Sequence, residues 1–168
     1  MVAQSARFAQ GLGLHPQTSC HHKEYPMTTF ADDIDRFNTM YGLPCDNVPS
    51  TAHLPVVPRM KDFKRIITEE VSEVDDIVAK AGKDEIDDLV DLADWLGDIM
   101  VYAASEMRRF GLPINETLSI IMQSNFSKLG EDGKPIIKEG KVMKGPGYWR
   151  PEPKLRELIV AMRSAGRV

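Results

Sequence analysis

The acids between Glu69 and Asp98 constrain this chain more than any other stretch, because they fall on helical patterns where a helix ordinarily avoids them. Phe63, Ile66, Ile67, Val71, Val74, Ile77 and Val78 recur at helical spacing and make one apolar stripe. Glu70 lies inside that stripe, at i+4 from Ile66 and i−4 from Val74, and Glu73 stands at its edge, at i−4 from Ile77. A core-facing carboxylate must be paired, neutralised or bound to a metal. No Lys or Arg lies between Arg65 and Lys80 to pair with it locally.

The next helical pattern repeats the anomaly. At about 100° per residue Asp84, Asp87, Asp91, Asp94 and Asp98 share a narrow stripe, opposite Leu89, Leu92, Leu96, Ile99, Met100, Ala103 and Met107. Like charges at this spacing each oppose the helix by roughly 0.2–0.5 kcal/mol. No Lys or Arg from Asp84 to Asp98 relieves them, so something cationic is expected to complete the face. A short turn at Ala81-Gly82 makes the two helices antiparallel neighbours. Glu70 and Glu73 on one, with Asp94 and Asp98 on the other, then form a cage of oxygen ligands. Magnesium suits it, since that ion is commonly held by a few carboxylates, water and phosphate; manganese is the alternative ion.

Composition narrows the class. The chain has 168 residues, 42% of them apolar and 27% charged, which suits one domain with its own core. The net charge is −4 and the basic residues are not gathered on one helix, so no nucleic acid is expected as a partner. No apolar run approaches the roughly 18 residues of a membrane-spanning helix. Cys20 and Cys45 are too few and too far apart for a disulfide framework or metal cluster, and a reduced, cytoplasmic protein is expected. Residues 1–27 have no apolar period and no acid before Glu24, and read as a disordered extension, with Met27 a second candidate start. Cys20, His21 and His22 lack further ligands at finger-like spacing.

From residue 28 to 168 the chain reads as one domain. Thr28 or Thr29 caps a helix over Asp32–Tyr41, stopped by Gly42-Leu43-Pro44. The prolines from Pro44 to Pro58 predict an extended connection, in which His53 is a solvated side chain. Helices follow over Arg59–Lys80, Lys83–Phe110 and Pro113–Leu129; then comes a hairpin within Lys134–Lys144, turning at Glu139-Gly140, a rigid loop over Gly145–Pro151, and a last helix over Lys154–Arg163. The expected fold is an all-α bundle of four to five helices with a short C-terminal hairpin, leaving apolar faces for a partner subunit.

Glu69-Glu70-Val71-Ser72-Glu73, followed by Asp94-Trp95-Leu96-Gly97-Asp98, resembles the acidic motif of the all-α nucleoside triphosphate pyrophosphatase superfamily, which includes MazG, the dimeric dUTPases and phosphoribosyl-ATP pyrophosphohydrolase. Gln123-Ser124-Asn125-Phe126-Ser127-Lys128-Leu129, Asp132-Gly133-Lys134-Pro135 and Lys144-Gly145-Pro146-Gly147-Tyr148 resemble the phosphoribosyl-ATP pyrophosphohydrolase-like MazG branch. The match covers about Asp32 to Pro153. It departs in one place: the family has Glu three residues before its Asp, whereas Trp95 stands there before Asp98, so Asp94 or Asp91 must substitute; Asp94, one turn away, is preferred.

The resemblance implies hydrolysis of a nucleoside triphosphate, or a phosphoribosyl-ATP-like nucleotide, between its α- and β-phosphates. Glu70, Glu73, Asp94 and Asp98 would hold magnesium and Glu69 would act as base. Asn125, Lys128, Lys144 and Tyr148 are the candidate substrate contacts, and a homodimer or homotetramer is implied. A carboxylate-bridged di-iron bundle needs Glu-x-x-His on two helices, and every His precedes the first acidic helix. The non-enzymatic rival is an acidic helical adaptor that binds a basic partner.

Overall fold

The computed structural model describes residues 28–166, so the expectation for residues 1–27 lies outside the described range. The elements are α1 (Phe30–Met40), α2 (Val56–Ser72), α3 (Val74–Lys80), α4 (Glu85–Arg109), α5 (Ile114–Phe126), β1 (Ile137–Lys138), β2 (Lys141–Val142) and α6 (Glu152–Ala165). The class is all-α, as expected. No described helix is long and apolar enough to cross a membrane.

Helix α4 is the axis of the fold: α1, α2, α3 and α5 all pack on it, and α6 packs on α5. Helix α1 starts at a capping box, in which the Thr29 hydroxyl accepts from the Asp32 N–H and the Asp32 carboxylate accepts from the Thr29 N–H. It buries Ile34 against Ala104 and Ile114. Beside them the fully buried Asn38 amide donates to the carbonyls of Ser105 (3.1 Å) and Pro44 (3.3 Å) and accepts from the Ser105 hydroxyl (2.5 Å). Arg108 closes the same seam by donating to both oxygens of Asp35 and to Asn47 (3.0 Å).

Three departures from the sequence reading bear on the site. Helix α2 begins at Val56 rather than Arg59, because Pro58 falls in the first turn, where a missing N–H costs nothing. The helix expected over Arg59–Lys80 is broken at Glu73 into α2 and α3. Upstream of the break the Thr68 and Ser72 hydroxyls bond back to the carbonyls of Lys64 (2.6 Å) and Thr68 (2.8 Å), which bends a helix. At the break the Glu73 N–H turns to the Glu70 carbonyl at 3.2 Å, a tightened turn of the kind that marks hinges. Third, Val71 and Val78 leave the apolar stripe and are exposed.

The hairpin turns where the sequence places it. Glu139 and Gly140 both take positive φ, 51° and 74°, the pair of left-handed residues that a tight two-residue turn demands. Ile137 then pairs with Val142 and Lys138 with Lys141.

Candidate active site

The site is assembled where α2 breaks against the middle of α4. Glu70 keeps only 8% of its surface exposed, although its helix is largely open. Burial pushes its carboxyl above the ordinary glutamate value, and the charges of Glu73, Asp98 and Asp94 push it further. Among the described residues no Lys or Arg forms an ion pair with any of these four acids. Glu73, Asp76, Lys80, Asp91, Asp94 and Asp98 line a pocket of about 250 Å³ with Trp95 at its side.

The α4 acids sort into different tasks. Asp84 lies outside the helix as its N-cap, accepting from the N–H groups of Ile86 (2.9 Å) and Asp87 (3.1 Å), so it does not belong to the stripe. Asp88 accepts from the Gly82 N–H at 2.9 Å and fixes the turn into α4. Asp91 is met by Lys80 at 3.4 Å. Asp94 and Asp98 remain without a cation, and they are the α4 charges that act on Glu70.

Trp95 carries a function that the acidic pattern concealed. Its indole Nε1 donates to the Glu70 carbonyl at 2.9 Å, tying α4 to α2 at the break. The available signal was a bulky donor between two acids: a half-buried indole N–H needs an acceptor, and the facing helix offers one. Trp95→Phe keeps the ring and removes that bond. The expected loss is about 1 kcal/mol in urea unfolding.

The other sequence-derived residues lie elsewhere. Glu69 is exposed and accepts from Arg65 at 3.0 Å, one turn back, and it does not line the acidic pocket. Asn125, Lys128, Lys144 and Tyr148 gather around the end of α5 and the following loop. The Gly145 N–H bonds the Lys128 carbonyl at 3.0 Å, and the Lys144 ammonium sits 4.6 Å from the centre of the Tyr148 ring. A close approach explains Gly145, where an added Cβ would fall 1.8 Å from the Leu129 carbonyl oxygen. None of these four residues lines the acidic pocket.

The donor set suits a hard divalent cation: four carboxylates and no thiol or imidazole. As they stand, no three such side chains among the described residues close into an ion-holding group. The closed cage expected from Glu70, Glu73, Asp94 and Asp98 is therefore not formed in this geometry.

No family model matches the chain, and no curated protein matches it. Among solved structures it is similar to the crystal structure of a "putative NTP pyrophosphohydrolase" from Exiguobacterium sp. 255-15. The identity is 26% over 84% of this chain and 99% of that one, with a TM-score of 0.45.

Proposed function

We propose that this chain hydrolyses a nucleoside triphosphate, or a phosphoribosyl-ATP-like nucleotide, between the α- and β-phosphates, releasing a nucleoside monophosphate and pyrophosphate. The observation that carries the proposal is Glu70: a carboxyl raised first by its burial and then by three neighbouring acids from two chain segments, with no protein cation paired to it. Such a group destabilises the chain unless the site exists for a cation. The motif resemblance of these same residues supplies the reaction class.

Magnesium, or manganese, bound there would neutralise phosphate charge and activate a water. Glu70 and Glu73 would hold the ion from the α2 side, and Asp94 and Asp98 from α4. The break at Glu73 leaves that acid free to adjust its approach. Glu69 is proposed as the base; its exposed pair with Arg65 is of a kind worth little, so its carboxylate is free to turn toward a water bound beside Glu70. Asn125, Lys128, Lys144 and Tyr148 are proposed to contact the substrate from a second copy of the chain in a homodimer or homotetramer. Leu96 and Met100, 50% and 58% exposed on the face of α4 opposite the acids, offer a second copy an apolar seat.

A screen of nucleoside triphosphates with magnesium, with the products identified, tests the activity. Glu69→Gln should lower kcat by at least about a hundredfold, within the range of general-base effects, while calorimetric magnesium affinity stays near wild type. Loss of magnesium binding in Glu69→Gln would make it a ligand instead of a base. Neither magnesium binding nor turnover in the wild type leaves the acidic adaptor as the surviving function.

A further inference from the structure

Lys80 is the one Lys or Arg that lines the acidic pocket among the described residues. It ends α3, seven residues after Glu73, or about 10 Å along the axis at the helical rise per residue. Its ammonium rests on Asp91 at 3.4 Å, and the two side chains are 61% and 38% exposed. Asp91 and Lys80 also line an adjoining pocket with Lys83, Asp84, Asp87 and Asp88, so the pair stands at the partition between the two.

Resting on the proposed function, we infer that Lys80 is the protein cation for the phosphate tail, held on Asp91 until substrate arrives, and that it selects di- and triphosphates over monophosphates. An exposed ion pair at this separation contributes little, so releasing Lys80 costs little. A phosphate tail offers it more than one negative oxygen, and a flexible ammonium reaches phosphate as a compact point charge. The pocket also sets the division of labour. At about 250 Å³ it is smaller than the usual range for a whole ligand, so it suits the phosphates and leaves the base outside. Glu73, Asp94 and Asp98, which line the pocket, would hold the ion toward one end, and Lys80 would take the phosphate at the other. Lys128 and Lys144 do not reach this pocket within one chain.

The test is calorimetric binding by the full chain, first of magnesium alone and then of inorganic pyrophosphate with magnesium present, in the wild type, Lys80→Met and Lys80→Arg. Lys80→Met should bind pyrophosphate about tenfold more weakly, the scale of one charged hydrogen bond. It should bind magnesium about two- to threefold more tightly, because a like charge has left the pocket wall. Lys80→Arg should recover most of the pyrophosphate affinity and leave inorganic phosphate, a monophosphate probe, as weakly bound as before. Equal pyrophosphate affinity in wild type and Lys80→Met overturns the inference; so does weaker magnesium binding in that variant, or no pyrophosphate binding by the wild type. If the wild type turns over triphosphates while pyrophosphate ignores Lys80, the proposed function stands and this inference falls. If pyrophosphate follows Lys80 but no triphosphate is hydrolysed, the reverse holds.

Discussion

Glu70→Gln is expected to abolish magnesium-dependent turnover and, in metal-free buffer, to give a protein that melts at a higher temperature than the wild type. The first effect should exceed about a hundredfold, because even outer partners of metal ligands cost 10–100-fold when removed. The second follows from the sign of the Glu70 shift. Burial, Glu73, Asp98 and Asp94 raise its carboxyl above the ordinary value, so the folded chain holds that proton more tightly than the unfolded chain does. The stability that the protonated form contributes is complete below the ordinary glutamate range and is lost as pH rises through the raised value. Wild-type stability should therefore fall across that window, whereas Glu70→Gln, which cannot ionise, should show no such step.

Magnesium reverses the ranking. An ion that binds only the folded wild type adds about 2.7 kcal/mol at a hundred times its Kd, and the variant gains little. Thermal melts of both proteins from pH 4 to 8, with EDTA or with magnesium, check the crossing. A Glu70→Gln protein less stable than wild type in EDTA would mean that Glu70 has a structural partner. The proposed site would then lose its main support.

Much of this arrangement was legible because it depends on periodicity. The spacing of Asp94 and Asp98 with Glu70 and Glu73 forecasts which acids face one another, and Glu139-Gly140 forecasts the hairpin turn. What stayed hidden depends on single hydrogen bonds. A stripe of aspartates does not reveal that Asp84 is a cap, since it falls on the helical period while answering local N–H groups, and Asp88, outside the stripe, gives no sign that it secures Gly82. Thr68 and Ser72 look like ordinary helix residues until their hydroxyls turn back on the carbonyls before the break. Glu69 lies 100° around the helix from Glu70, on an exposed face where it meets Arg65 one turn away. The C-terminal cluster around Tyr148 shows the limit of motif reading. Neighbours in a family pattern need not be neighbours of the acidic site within one chain.

Glu106→Ala is the second large effect expected, a loss of about 3–5 kcal/mol in urea unfolding, the scale on which a buried pair fails when one partner is removed. Glu106 is 6% exposed near the end of α4. The Arg59 Nε donates to its two oxygens at 2.8 and 3.0 Å, a further Arg59 nitrogen donates to it, and Arg109 lies 4.0 Å away. Burial and the nearby Arg59 already push the Arg109 guanidinium below its usual range, and Glu106 opposes them. Without Glu106 two guanidiniums face each other. The adjoining cavity of about 510 Å³, walled largely by apolar side chains such as Val56, Met60, Phe63, Met107 and Phe110, offers them no carboxylate in place of Glu106. Arg59→Met combined with Glu106→Leu should cost far less than Glu106→Ala, because no charge is stranded. A loss under about 1 kcal/mol for Glu106→Ala would show that water already reaches the pair. The clamp also bears on the acidic site. Arg59 with Glu106 secures the start of α2 on α4, and Trp95 with Glu70 secures its end, so the two together set the register that brings Glu70 and Glu73 to Asp94 and Asp98. Under conditions where Glu106→Ala remains folded, its magnesium affinity should fall although no proposed ligand has been touched. Glu106→Gln, which retains a hydrogen-bond acceptor for Arg59, should lie between the two.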